Sequence, residues 1–179
     1  MRIRGHHGRV RRRSRAEGQS LVEFALVLTP LFLILLGIIQ FGFIFNSYIT
    51  ITNATREAAR EGSIALYDRT DTQAGNDAAR NERIRATVMN SLNLLSSTAP
   101  HFSTTGSWTQ SGETFTDGDL TITYVLPSDV VDSVTREGES VTVRVRYHQD
   151  LLIPMISALL PRDGSGRMVL TGEVTMVIN

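Results

Sequence analysis

From Phe24 to Phe45 the chain reads FALVLTPLFLILLGIIQFGFIF, and only Thr29 and Gln40 interrupt the run with clearly polar side chains. A bilayer core takes roughly 20 residues of helix. A buried helix of a soluble domain shows a polar stripe every three to four positions, and this segment has none. The pattern predicts a membrane-spanning helix over residues 19–45. Beyond Asn46 the periodicity becomes that of an amphipathic helix. Ile51, Ala54, Ala58, Ala59 and Ala65 share one face, while Arg56, Glu57, Arg60 and Glu61 supply a charged one. The spanning helix is therefore expected to run on into water through residues 46–66, with Tyr48 at the interface and Gly62 ending or weakening it. Leu21 to Ala65 as one helix would measure about twice the hydrocarbon thickness.

The remainder, residues 67–179, reads as one modest α+β domain. YDRTDTQAGN (67–76) is polar and turn-rich, a loop. A second amphipathic helix follows over about Asp77 to Leu95, with Ala78, Ile84, Val88, Leu92 and Leu95 inward and Arg80, Arg83 and Arg85 on other faces. Residues 96–118 are rich in Ser, Thr and Gly, with Trp108 and Phe115 as large anchors, and hold a short strand or a loop. The last third alternates with period two: Leu120, Ile122, Tyr124 and Leu126; then Val141, Val143, Val145 and Tyr147; then Met168, Leu170, Val174, Met176 and Ile178. One apolar face per strand predicts an antiparallel sheet of three to four strands covered on one side by helix. LLIPMISALLP (151–161) is apolar but too short to span. The core, a membrane surface or a partner could cover it, the core being favoured.

Charge adds direction. All 18 basic residues are arginine, and seven of them (Arg2, Arg4, Arg9, Arg11, Arg12, Arg13 and Arg15) precede Gly18. From Gly18 onward 11 arginines face 17 acidic residues, so the net charge of zero hides a basic head and an acidic body. Residues 1–18 are too poor in apolar side chains to fold alone. An arginine cluster of this kind can bind nucleic acid. Set against a membrane helix, it instead stays cytoplasmic and orients the span, with anionic lipid adding about 1 kcal/mol per arginine near the surface. No nucleic-acid partner is expected. The N-terminus is placed in the cytoplasm and residues 67–179 outside, as a single-pass protein of the cytoplasmic (inner) membrane. A cleaved secretory signal is disfavoured, because its apolar core would be about 7–15 residues.

Glu23 stands at the head of the apolar run, where a carboxylate entering hydrocarbon costs about 2.5–3.5 kcal/mol and so tends to mark function. Arginines, Gly18, four residues, Glu23-Phe24 and then an apolar helix form the pattern of a class III signal peptide. The block GQSLVEFALVLTPLFLILLGIIQFGFIF, followed by TNATREAAREGS, resembles the TadE-like proteins of tight-adherence (Flp-type) pilus systems, most strongly over residues 16–63. The resemblance implies a pilin-like protein cut by a prepilin peptidase on the cytoplasmic side. Gly18 would precede the cut and Gln19 would become the new N-terminus. Glu23 and Phe24 would be the fifth and sixth mature residues and set subunit register. It also implies an inter-subunit contact on the Arg56, Glu57, Arg60 and Glu61 face. The implied partners are the peptidase, other pilin or Tad-type subunits with their assembly platform, and membrane lipids.

Nothing in the chain points to catalysis, a cofactor or a metal. There is no cysteine, no Gly-rich phosphate loop precedes a helix, and His6 and His7 lack partner ligands. His101 and His148 are the other histidines. Asp117, Asp119, Asp129, Asp132, Glu137 and Glu139 fall in turn-like stretches. The Asp117–Asp119 DGD lacks EF-hand spacing, so these are expected to be solvated carboxylates. The chain is read as a non-enzyme: a minor pilin or pseudopilin processed after Gly18 that takes part in pilus assembly, or alternatively an uncleaved single-pass scaffold of a pilus or secretion machine.

Overall fold

The computed structural model describes residues 13–64, 67–92, 107–129 and 135–179. The tail histidines and arginines up to Arg12, together with Ala65, Leu95, His101 and Asp132, lie outside the described residues. The chain divides into two compact units, Met1–Phe41 and Gly42–Asn179.

The first unit holds most of helix α1 (Arg13–Ser63), including Pro30. Its large apolar side chains are open to the surroundings: Leu21, Phe24, Leu26, Val27, Ile34 and Ile38 are each more than half exposed. Proline removes one backbone bond from the helix. The neighbouring Thr29 hydroxyl donates to the Ala25 carbonyl at 2.8 Å, so this polar group is satisfied within the helix. Among the described residues one helix is long and apolar enough to cross a bilayer, which supports single-pass membrane anchoring.

The second unit is α+β. It contains the last turns of α1, helix α2 (Gln73–Ser91) and five antiparallel strands. The strands are β1 (Thr109–Ser111), β2 (Thr114–Asp117), β3 (Leu120–Val125), β4 (Ser140–Gln149) and β5 (Met168–Val177), in spatial order β1-β2-β3-β4-β5. The extra strands come from the stretch read as strand or loop. Ser111 pairs Thr114 and Asp117 pairs Leu120, leaving two-residue turns that each begin with a glycine at positive φ, Gly112 (59°) and Gly118 (60°). A glycine first in a two-residue loop is the pattern of a II′ hairpin. A four-residue helix, α3 (Pro154–Ser157), lies between β4 and β5.

The period-two reading of the sheet holds. Leu120, Ile122, Tyr124, Val141, Val143, Val145 and Tyr147 are buried on one face. The other face carries Thr114 against Thr123, Thr142 against Thr175 and Arg144 against Glu173, cross-strand polar pairs suited to water. Leu126 departs from the expectation: it falls past the end of β3 and is 45% exposed. Ile51, Ala54, Ala58 and Ala59 of α1 join Ile84, Val88 and Leu92 of α2 and the sheet in one core.

Helix α2 starts four residues earlier than the spacing predicts. The Thr72 side chain accepts from the Gly75 N–H at 3.1 Å and caps it. Asn76 ties the preceding loop down, accepting from Asp68 N at 2.7 Å and donating to the Asp68 and Thr72 carbonyls. Ala78 is exposed and Arg80 is buried, the reverse of the expected assignment.

Small residues let the layers close. A Cβ on Gly62 would lie 2.7 Å from Ile84 Cδ1, so this glycine marks a close approach of α1 to α2. Gly172 does the same between α1 and β5. A Cβ there would sit 2.6 Å from Thr55 Oγ1 and 3.2 Å from the Ile51 carbonyl oxygen. Gly172→Val is therefore expected to destabilise the 42–179 unit by at least about 1–3 kcal/mol. The check is the denaturant midpoint in detergent against Gly112→Asn, whose turn faces open space.

Candidate functional site

The segment singled out by the class III pattern lies on α1 within the first unit. Gly18 is helical and exposed, and a Cβ built on it meets nothing within 4 Å. Glycine within a helix costs about 0.5–1 kcal/mol relative to alanine, and no packing demand among the described residues accounts for it at position 18. Gln19 and Glu23 stand one turn apart, and Gln19 Nε2 donates to Glu23 Oε1 at 3.0 Å. Phe24 is 62% exposed beside them. The structure thus brings Gly18, Gln19, Glu23 and Phe24 together as consecutive turns of one helix.

On the second half of α1, Arg56, Glu57 and Arg60 are exposed, as the periodicity predicts. Glu61 is not part of a free charged face: it lies 3.7 Å from Arg83 on α2. Exposed ion pairs of this kind contribute little to stability, so the outward cation and anion pattern of this helix rests on three residues.

Sequence reasoning missed the strongest electrostatic feature. Arg136, at φ 59°, is buried and surrounded by three carboxylates. It donates through Nε and Nη2 to both oxygens of Asp77 at 2.6 and 2.8 Å. Its Nη1 reaches Glu139 at 2.7 Å and its Nη2 reaches Glu113 at 2.6 Å. The guanidinium also sits 4.2 Å from the centroid of the Tyr124 ring. Burial pulls the pKa of Arg136 down, but the hydrogen bonds to Asp77, Glu139 and Glu113 outweigh it and the net shift is upward. Burial holds the Tyr124 phenol far above its ordinary value, and its hydroxyl donates to Asn81 Oδ1 at 2.7 Å. Arg80, 1% exposed, has Asp77 at 3.6 Å as its ion-pair partner.

A strained backbone at a non-glycine positive φ persists only where the surroundings over-determine it, and the three carboxylates do so here. One signal was available in the sequence: Asp77, Arg80, Asn81, Ile84 and Val88 follow the spacing of a single helical stripe, so the charges lie on the apolar face. Beside the cluster is a cleft of about 320 Å³ lined in part by Trp108, Gln110, Asn81 and Arg136. Trp108 is held over it by a bond from its indole N–H to Glu82 at 2.7 Å.

The turn carboxylates are also not the solvated groups expected. Asp117 is buried and receives Arg85 Nε at 2.7 Å. Asp119 is buried and lies 3.1 Å from His148 Nε2, whose Nδ1 is 2.7 Å from Asp163. Glu139 belongs to the Arg136 cluster, while Asp129 and Glu137 are exposed as expected. Folding brings Asp117 and Asp119 to partners that lie 32 and 29 positions away in sequence, while Glu139 meets Arg136 three residues before it. The contact with Asp163, reinforced by Asp119, raises the pKa of His148 against the opposing effect of burial. Asp163, held by the Arg167 amide, Ser165 and His148, is pushed well below the usual carboxylate range.

Together these features define a class: an α+β protein with one exposed apolar N-terminal helix and a small antiparallel sheet domain. Residues 18–60 match the family model described as TadE-like protein. Over that quarter of the chain it is similar to this family, in agreement with the resemblance carried by the same residues. No curated protein and no solved structure matches the chain.

Two outcomes follow from the charged clusters. Asp77→Ala leaves the Arg136 guanidinium buried without its bidentate partner and should cost about 3–5 kcal/mol, read as a lower denaturant midpoint in detergent. The raised pKa of His148 gives stability that is complete below its unfolded value of about 6.5 and is lost as pH rises through the folded value. The midpoint should therefore fall on going from mildly acidic to mildly alkaline pH, and His148→Gln should flatten that slope. The depressed pKa of Asp163 acts in a different window, giving stability lost only in acid, as pH falls from about 3.9.

Proposed function

We propose that this protein is a membrane-anchored minor pilin or pseudopilin that takes part in assembly of a tight-adherence (Flp-type) pilus. A prepilin peptidase cuts it after Gly18, and its role is structural rather than catalytic. The observation that carries the reading is the head of α1. Gly18 has no packing role there, Glu23 stands one turn beyond Gln19, and the TadE-like match begins at Gly18 itself. A peptidase needs an accessible small residue before the bond it cuts, and Gly18 is accessible.

The cut frees the α-amine of Gln19. In an assembly of parallel helices, Glu23 of one subunit accepts that amine from its neighbour, offsetting the cost of placing both charges in an apolar environment. Buried pairs of this kind are about neutral for stability and fix register. The exposed apolar surface of α1 is covered by lipid before assembly and by other subunits after it. The Arg56, Glu57 and Arg60 face supplies further contacts to subunits or platform. The arginine-rich head keeps residues 1–18 in the cytoplasm and the 42–179 unit outside.

One observation favours the alternative, an uncleaved single-pass scaffold: α1 begins at Arg13, upstream of Gly18, so the bond to be cut lies within helix. Intact mass of the membrane-extracted protein, with and without the peptidase, separates the two readings. A peptidase-dependent loss of residues 1–18 supports the pilin reading, and a full-length mass under both conditions supports the scaffold. In the pilin reading Glu23→Ala keeps membrane insertion but leaves the amine unpaired. That costs about 3 kcal/mol per contact, seen as loss of the protein from sheared pili.

A further inference from the structure

The segment between β4 and β5 is apolar and partly faces outward in the 42–179 unit. From Leu151 to Pro161 there is no charged residue. Leu151 and Leu160 pack against the core, while Leu152 is 65% and Leu159 is 85% exposed. Leu159 is the most exposed large apolar side chain among the described residues. The preference for the core is therefore half met: the two outer leucines of the pattern turn in and the next two turn out.

The excursion is held firmly at its neck. Asp150 and Arg167 pair at 3.0 Å, and His148 holds Asp163 at 2.7 Å. Ser157 caps its own turn by donating to the Pro154 carbonyl at 2.7 Å. Leu152 and Leu159 thus expose apolar surface on a segment that is itself held in place.

Its height along α1 identifies the occupant of that surface. Ser47 Oγ donates to Gln149 Oε1, at the very end of β4. Ile44 belongs to the same core that Leu151 and Leu160 pack against. At the opposite end of the sheet the Asn179 amide bonds the Ser63 carbonyl at 3.1 Å. The 151–161 segment thus leaves the domain at the level of Ser47, where the apolar run of α1 ends at Phe45 and Tyr48 begins the interface. Within the same unit Phe43 and Phe45 are 48% and 65% exposed.

We propose that Leu152 and Leu159 insert into the outer surface of the bilayer as a second, shallow membrane contact of the 42–179 unit. The occupant is lipid rather than a second copy. Two leucines offer far less area than the roughly 1,000 Å² a specific protein interface needs, and their segment leaves β4 where Gln149 meets Ser47, within one turn of the exposed Phe43 and Phe45 on α1. The inference rests on the membrane-anchored reading above and goes beyond it.

The chain has no cysteine, so single variants of the full protein can be labelled at one place. Leu152→Cys, Leu159→Cys, Glu137→Cys and Ile34→Cys would each carry an environment-sensitive fluorophore in phosphatidylcholine–phosphatidylglycerol vesicles. Nitroxide-bearing lipids, shallow or deep, would report contact. Probes at 152 and 159 should be blue-shifted and quenched several-fold more by shallow nitroxide than the probe at 137, near the far end of the sheet. The probe at 34 should respond to deep nitroxide. Quenching at 34 without quenching at 152 and 159 overturns the lipid contact and leaves the anchor standing. Absence of quenching at 34 overturns the anchor and the inference with it. Shielding at 152 and 159 that grows with protein-to-lipid ratio, without lipid quenching, assigns the surface to a second copy and overturns the proposal.

Discussion

The contact between α1 and β5 at Gly172 decides how the rest of the domain is placed. With no side chain at 172, the helix backbone at Ile51 and the Thr55 hydroxyl come close enough for Ile51, Ala54, Ala58 and Ala59 to pack against the sheet. The contact also fixes register. Once Ile51 lies over Gly172, Ser47 meets Gln149 and Ser63 meets Asn179. One end of the sheet is thereby level with the last apolar turns of the helix, and the other end is carried away from them. Small residues at a helix–sheet seam thus set an orientation as well as a packing density.

The second constraint is electrostatic. Asp77 on α2, Glu113 between β1 and β2, and Glu139 before β4 converge on Arg136, whose guanidinium lies over Tyr124. Removing charged groups from water is expensive, and the interaction is tolerable because all three guanidinium nitrogens of Arg136 meet carboxylate oxygens. What such a cluster supplies is definition. A bidentate pair between α2 and the β3–β4 connection allows one helix position, where leucines would allow several. The His148 bridge between Asp119 and Asp163 plays a comparable part at the other end of β4, bracing the projecting 151–161 segment against the sheet.

Much of this was legible in the order of residues. The unbroken apolar run, the change to a 3.6-residue period after Asn46, and the alternation in the last three strands each reflect a local rule: a helix or strand must present one kind of surface to one kind of solvent. The Gly18 to Phe24 pattern was equally local, since its residues occupy consecutive turns of one helix. The two short hairpin strands were less visible because their evidence is only a glycine at the first of two turn positions, flanked by few apolar residues. Arg80 is buried and Ala78 exposed against the hydropathy of the two side chains, because a charge is buried where a partner such as Asp77 meets it.

By itself, then, the sequence determined the elements that depend on near neighbours: the spanning helix, its amphipathic continuation, the alternating strands, the basic head and the glycine–glutamate spacing at the start of α1. Tertiary structure alone decided which charges are buried, which glycines are close contacts, and which two leucines of LLIPMISALLP face out. The physical reason is one of distance. Periodicity is set by backbone geometry over a few residues, while the partners of Arg136, Asp117 and His148 lie up to 59 positions away and become neighbours only when α1 and α2 settle on the sheet.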